Sequence, residues 1–153
     1  MLNMLSAPAE HALRAVLHLA QFPAKTSVPA DRIAEVLGAP RNYLAKTLNA
    51  LAKAGVVHSS RGPTGGFSLA IPPNELTVAA VVAPFDEQRR SNMCLLQNQL
   101  CDSQNPCSAH ARWVQIADQT AAAFARTTIA DLLSGAIIGD QRFTERRLLA
   151  IGA

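Results

Sequence analysis

A mainly α-helical fold is predicted, a winged helix-turn-helix with a β-hairpin wing and a long C-terminal helix. Three features predict it: two short amphipathic helices joined by a glycine turn, a glycine-rich hairpin pattern directly behind them, and a helical stripe that runs for about 25 residues after His110. The chain has 153 residues, enough for one compact core and a protruding element. Hydrophobic residues make up 49% but aromatics only 5%, so the core must be built from Ala, Leu, Val and Ile, a composition that favours helices. The net charge of +3 and pI of about 9.1 are compatible with a polyanionic partner, and become informative only where the charges cluster.

From Pro8 to about Gln21, the residues Ala12, Leu13, Val16, Leu17, Leu19 and Ala20 recur at helical spacing, with Ser6 as the candidate cap. Glu10, His11, Arg14 and His18 interrupt the apolar run, and no basic leader or small-residue cleavage site precedes it. Neither a signal peptide nor a membrane span is expected, and a cytoplasmic address is. After the break PAKTSVPA, Asp31 to Leu37 forms a short second helix that turns Ile33, Ala34 and Leu37 to one face and stops at Gly38. A third helix runs from Pro40 to Ala54, burying Leu44, Leu48 and Leu51, and stops at Gly55.

Residues 56–71 read as a hairpin: Val56, Val57 and His58 are extended, RGPTGG is the turn, and Phe67 to Ile71 is extended again. Arg61 sits on that turn, where a cation suits insertion into the minor groove of DNA. On the third helix, the face opposite the leucines carries Arg41, Asn42, Lys46, Asn49 and Lys53. Arg matches guanine, Asn matches adenine, and Lys supplies phosphate charge. A helix-turn-helix delivers the N-terminal end of its second helix into the major groove, which singles out Arg41, Asn42 and Tyr43. For Tyr43, packing against the hairpin is an equal alternative.

Thr77 to Pro84 is expected to form a short apolar helix under the wing, completing a DNA-binding domain over residues 1–84. A cysteine-bearing loop follows over 85–109. All three cysteines, Cys94, Cys101 and Cys107, fall in the segment MCLLQNQLCDSQNPCSAH, with His110 just beyond. Thiolates at that density in a polar loop are what a soft metal or an iron-sulfur cluster requires. An odd count without a leader argues against a disulfide framework. Over 110–135, Trp113, Ile116, Ala117, Thr120, Ala121, Phe124 and Ala125 form one stripe that continues through Thr128 and Leu132 to Gly135. A helix of roughly 25 residues spans ~37 Å, more than one small domain covers, so a second copy is its expected partner and C2 symmetry matches pseudo-palindromic DNA. No function is assigned to the tail, 136–153.

The first helix EHALRAVLHLA, the segment PRNYLAKTLNALAKAGVV, the wing SSRGPTGGFSLA and the three-cysteine loop before a long helix occur in an order that resembles the Rrf2-type winged-helix regulators. That family includes iron-sulfur sensors of the IscR, NsrR and RirA kinds, and the resemblance covers about residues 4 to 135. It implies a dimeric regulator, a repressor, that reads operator DNA and holds an iron-sulfur cluster, 2Fe-2S in preference to 4Fe-4S, through Cys94, Cys101 and Cys107, with redox state, nitric oxide or iron supply as the signal. It also implies a fourth ligand. His110 matches the position used by IscR-like members, and Glu10 matches the acidic residue that NsrR-like members supply from the opposite subunit; Glu10 is preferred, and His11 is more remote. Arg61 and Asn42 match DNA-contacting positions of the family. Two departures stand out: the first cysteine gap is six residues where five is common, and Ala45 replaces an acid that helps IscR-like members choose DNA.

Two other function classes compete. One is a zinc-structured or cluster-free DNA-binding protein, in which Cys94, Cys101, Cys107 and His110 could close a tetrahedral zinc site. An enzyme would use Cys107 and His110 as a nucleophile pair, but no orienting acid or oxyanion arrangement is discernible beside them.

Overall fold

The computed structural model describes residues 5–90, 94 and 101–135. Helix α1 spans Ala7–Leu19. Ser6 caps it, its Oγ accepting the Ala9 amide at 3.3 Å, and Pro8 lies in the first turn, where a missing N–H costs nothing. Ala9, Ala12, Ala15, Val16 and Leu19 are buried. Helix α2, Ala30–Leu37, ends as expected at Gly38, whose φ of 61° puts it in the left-handed region that a side chain disfavours. Helix α3, Arg41–Lys53, buries Leu44, Leu48 and Leu51, together with Thr47, whose hydroxyl donates to the Tyr43 carbonyl at 3.2 Å.

The wing consists of β1, Val57–Ser60, and β2, Gly66–Leu69, antiparallel with Val57 opposite Leu69 and Ser60 opposite Gly66. Val28 adds a bridge to the far side of β2, exchanging both backbone hydrogen bonds with Phe67 at 2.9 Å each. Gly66 is required at that join, because a Cβ there would run into the Val28 carbonyl. The wing is therefore tied at its base to the segment that leads into α2.

Two helices differ from expectation. Helix α4 runs over Val78–Arg90 and passes through Pro84, which the sequence suggested as its end. An interior proline costs about 3 kcal/mol, but Phe85, just beyond it, packs against the buried residues of both apolar clusters, as Val81 and Val82 do before it. Burial of that face outweighs the local preference. The helix packs chiefly against α1 rather than under the wing.

The single helix expected over 110–135 is two. Helix α5 covers His110–Arg126, Thr127 is extended, and α6 covers Ile129–Ser134. The break is a capping box: Thr128 Oγ1 accepts the Asp131 amide at 3.1 Å, and an Asp131 carboxylate oxygen accepts the Thr128 amide at 2.9 Å. Those bonds also hold the Asp131 carboxyl below its usual range. The chain then folds back on the core, where the Val78 and Ile129 amides donate to Thr127 and Leu76 carbonyls and Ile129 is fully buried. The tail, 136–153, lies outside the described residues.

Among the described residues, a second polar side chain is buried besides Thr47. His18, near the end of α1, is 7% exposed, and neither ring nitrogen has a partner among the described residues. Phe22 meets the ring edge-on with centroids 5.2 Å apart. Burial, and then the nearby Arg32 charge, lower its pKa.

Candidate nucleic-acid interface and metal centre

The helix-turn-helix and wing expose the residues that their sequence pattern singled out. Arg41 and Asn42 open α3 and are exposed, Lys46 is exposed one turn later, and Arg61 is exposed on the wing turn. Thus four cationic or amide side chains lie on two neighbouring elements, with the leucines of α3 directed into the core. Tyr43 has a different setting. It is half-buried and packs edge-on against His11 of α1, with centroids 5.2 Å apart and ring planes at 79°, so its ring is engaged by α1, and the hairpin is not the contact found. His11 is fixed from the other side as well, its Nδ1 lying 2.8 Å from the Ala7 carbonyl oxygen.

One neighbour of this surface was not singled out from sequence. Asp31, in the first turn of α2, forms an ion pair with Arg41 through Oδ1 and Nε. The two residues are ten positions apart across the glycine turn, a separation that no local rule pairs; only the crossing of α2 and α3 brings them together. The wing has an anchor of the same kind. Ser27 Oγ lies 2.9 Å from Ser60 Oγ, and Ser60 Oγ also accepts the Gly66 amide at 3.2 Å.

The second site lies at the start of α5. Cys94, Cys101 and Cys107 bring their three sulfurs within 4.8 Å of one another, all half-buried. Cys94 and Cys107 Sγ are 3.6 Å apart, far beyond the ~2.05 Å of a disulfide, and none of the three cysteines is joined in a disulfide. The Cys107 amide donates to Cys101 Sγ at 3.4 Å. That bond favours the Cys101 thiolate, but burial and the adjoining Cys107 and Cys94 thiols outweigh it, and the net pKa is raised. His110 joins the edge of the cluster with Nδ1 3.3 Å from Cys101 Sγ, while its amide donates to the Cys107 carbonyl at 3.0 Å. Glu10 is half-exposed on α1 and does not belong to the three-sulfur group of its own subunit. Residues 95–100, between Cys94 and Cys101, lie outside the described residues.

Three soft, half-buried sulfurs with one imidazole at their edge fit an iron-sulfur or zinc ion set by donor chemistry. No helix among the described residues is long and apolar enough to cross a membrane.

The Rrf2 family model, described as an iron-dependent transcriptional regulator, matches residues 5–135. A protein of Aquifex aeolicus (strain VF5) named as an HTH-type transcriptional regulator is 39% identical over 109 residues, which is 70% of this chain and 76% of that one. The HTH-type transcriptional regulator IscR of Serratia proteamaculans (strain 568) is 27% identical over 151 residues, 97% of this chain and 92% of its own. Among solved structures, CymR, the global cysteine regulator of B. subtilis, superposes with a TM-score of 0.70 at 24% identity, over 88% of this chain and 98% of that one. T. potens IscR does so with a TM-score of 0.67 at 23% identity, over 91% and 94%. At those identities the structures establish the winged-helix fold. The relatives are transcriptional regulators rather than enzymes, which sets aside a nucleophilic role for Cys107 and His110. The chain belongs to the Rrf2 family of helix-turn-helix transcriptional regulators.

Proposed function

We propose that this regulator is a cytoplasmic homodimer that represses transcription from a pseudo-palindromic operator, and that an iron-sulfur cluster held by Cys94, Cys101 and Cys107 controls its grip on that DNA. A 2Fe-2S cluster is preferred to 4Fe-4S. The observation that carries the reading is the gathering of three cysteine sulfurs within 4.8 Å of one another in a chain that also exposes a helix-turn-helix. Arg41, Asn42 and Lys46 on α3 and Arg61 on the wing are the proposed DNA contacts; Tyr43 shapes the start of α3 through its packing on His11.

The dimer reading rests on α5. None of its residues is buried within the subunit, and Val114 and Ile116 are 41% and 51% exposed. An apolar stripe left in this state is what a second copy would cover. The signal has a physical route through the same helix. The Cys107 carbonyl is bonded to the first turn of α5, α5 packs on α4, α4 on α1, and α1 on α3, so a change in the sulfur loop has packed helices between it and the recognition helix. A bound cluster would supply redox chemistry and reactivity toward nitric oxide and oxygen, and with them a redox, nitric oxide or iron-supply signal.

For the fourth ligand, both candidates stand on separate grounds. His110 lies beside Cys101 within the subunit, whereas Glu10 would have to reach the cluster of the opposite subunit. Because His110 stands beside Cys101 at the edge of the three-sulfur group and would make a Cys3His donor set with it, a structural zinc site is the second reading. Anaerobic purification separates the two readings. An iron-sulfur protein is brown, absorbing between about 320 and 460 nm through sulfur-to-iron charge transfer, and Cys94→Ala, Cys101→Ala or Cys107→Ala removes the colour without loss of helix. A colourless protein with stoichiometric zinc would overturn the cluster. Faster cluster loss in Glu10→Ala than in His110→Ala supports ligation across subunits, and the reverse order supports His110.

A further inference from the structure

Arg41 opens the recognition helix and is met by Asp31 from the other helix of the helix-turn-helix. The contact is made at Nε. Both side chains stay largely in water, 73% exposed for Arg41 and 60% for Asp31. Exposed ion pairs of this kind add little to stability, so the consequence of this one lies in what it does to the guanidinium. Arg32 offers a contrast on the same helix: it pairs with Glu35 three residues along, at 2.8 Å, and that pair joins nothing beyond α2.

The guanidinium is a rigid planar fork of five donors. Held at Nε by a carboxylate, it keeps its outer Nη1 and Nη2 edge for a second acceptor pair, and the O6 and N7 atoms of guanine match that edge. No acid lies in the first turn of α3 to hold Arg41 from its own helix. Without Asp31 the long side chain is free to swing to the nearest phosphate, a contact that carries no base information. With Asp31 in place, the pair is close to neutral, so its value to binding comes from geometry rather than from counterion release.

Resting on the DNA-binding reading above, the geometry points to Asp31 as a positioning residue that aims Arg41 at a guanine in each half-site, and so sets sequence specificity. Asp31 touches no DNA in this role. It converts a general phosphate-seeking cation into a base reader, and its carboxylate also repels phosphates that approach Arg41.

The test uses the full-length protein and two kinds of duplex: one selected by the wild type from a randomised library, with every single base-pair change, and one of scrambled sequence. Binding is read by fluorescence anisotropy over a range of salt. In the wild type, one G·C pair per half-site should be discriminated by on the order of tenfold or more, and Arg41→Ala should erase that preference and no other. Asp31→Asn should flatten the preference at the same pair, bind scrambled duplex as tightly as the wild type or more so, and show a steeper salt slope. Asp31→Glu, which restores the carboxylate, should recover part of the preference. A melting temperature in Asp31→Asn close to that of the wild type excludes a folding defect. An Asp31→Asn protein that keeps full discrimination at that pair, or that loses affinity for every duplex in parallel, overturns the proposal while leaving DNA binding intact. A wild-type protein that selects no duplex and ignores scrambled DNA at low salt overturns both.

Discussion

The helix-turn-helix buries its leucines and isoleucine within one subunit, whereas α5 leaves its apolar residues half-covered or exposed. Leu44, Leu48, Leu51 and Ile33 are 0% exposed, and α1, α2, α3 and the wing share one apolar cluster. Helix α5, longer than any of these, buries no residue at all. The first region draws on one shared apolar cluster, to which Val81 and Ile129 also contribute; in the second, Val114 and Ile116 stay exposed within the subunit. This division suits the proposed switch, in which a reading head of fixed shape is controlled from the cysteine-bearing region.

The largest expected effect lies in the first region. Leu48→Ala removes a side chain from the centre of the α3 core and should destabilise the fold by about 2 to 5 kcal/mol, seen as a lower midpoint in urea with an unchanged slope. A loss well under 1 kcal/mol would mean that the core is less tightly packed than its burial indicates.

Ile116→Asp addresses the second region. It should leave helix content and monomer folding close to the wild type, and weaken self-association by tenfold or more, on the order of 1.4 kcal/mol, as read by light scattering across a dilution series. Equal self-association in the variant would place the interface elsewhere than the α5 stripe.

Thr128→Ala tests the joint between the two regions. Losing the capping box should cost about 1 kcal/mol and loosen α6 from the core, so hydrogen exchange at the Ile129 amide should rise while that of α3 stays slow. Uniform acceleration throughout the protein would show instead that the two regions unfold as one.

The smallest effect is a pH dependence inside the rigid region. Burial, followed by the Arg32 charge, holds the His18 pKa below its ordinary value of 6.5. The unfolded chain therefore binds this proton more readily than the native one, so stability is complete above about pH 6.5 and falls as pH drops through that value toward the lowered native pKa. Thermal melts of His18→Phe should lack this contribution between pH 7.5 and the acid limb. An identical acid profile in the variant would assign the loss to other groups.

Much of the reading head was legible without coordinates because its signals are local. Gly38 and Gly55 end their helices, the leucines at 44, 48 and 51 repeat on one face, and RGPTGG admits little but a turn. Sequence and structure part where a local rule meets a tertiary one. Pro84 reads as a stop, yet apolar contacts on both sides of it keep α4 helical. The Thr128 and Asp131 box was present in the sequence, but the apolar stripe running through it concealed the break. For Tyr43, half apolar and half polar, the pattern left DNA and the hairpin open, and the ring is found against His11 of α1.

The sequence by itself determined the element types of the reading head, the cationic face of its recognition helix and the presence of three thiols in one short segment, because each depends on residues close together along the chain. Tertiary structure alone decided that those sulfurs converge within 4.8 Å, that Val28 extends the wing, that Thr127 carries the chain back to the core and that Asp31 meets Arg41. Each of these joins residues from separate elements, and the geometry of such a meeting is set by how the elements pack, which periodicity along one segment does not encode.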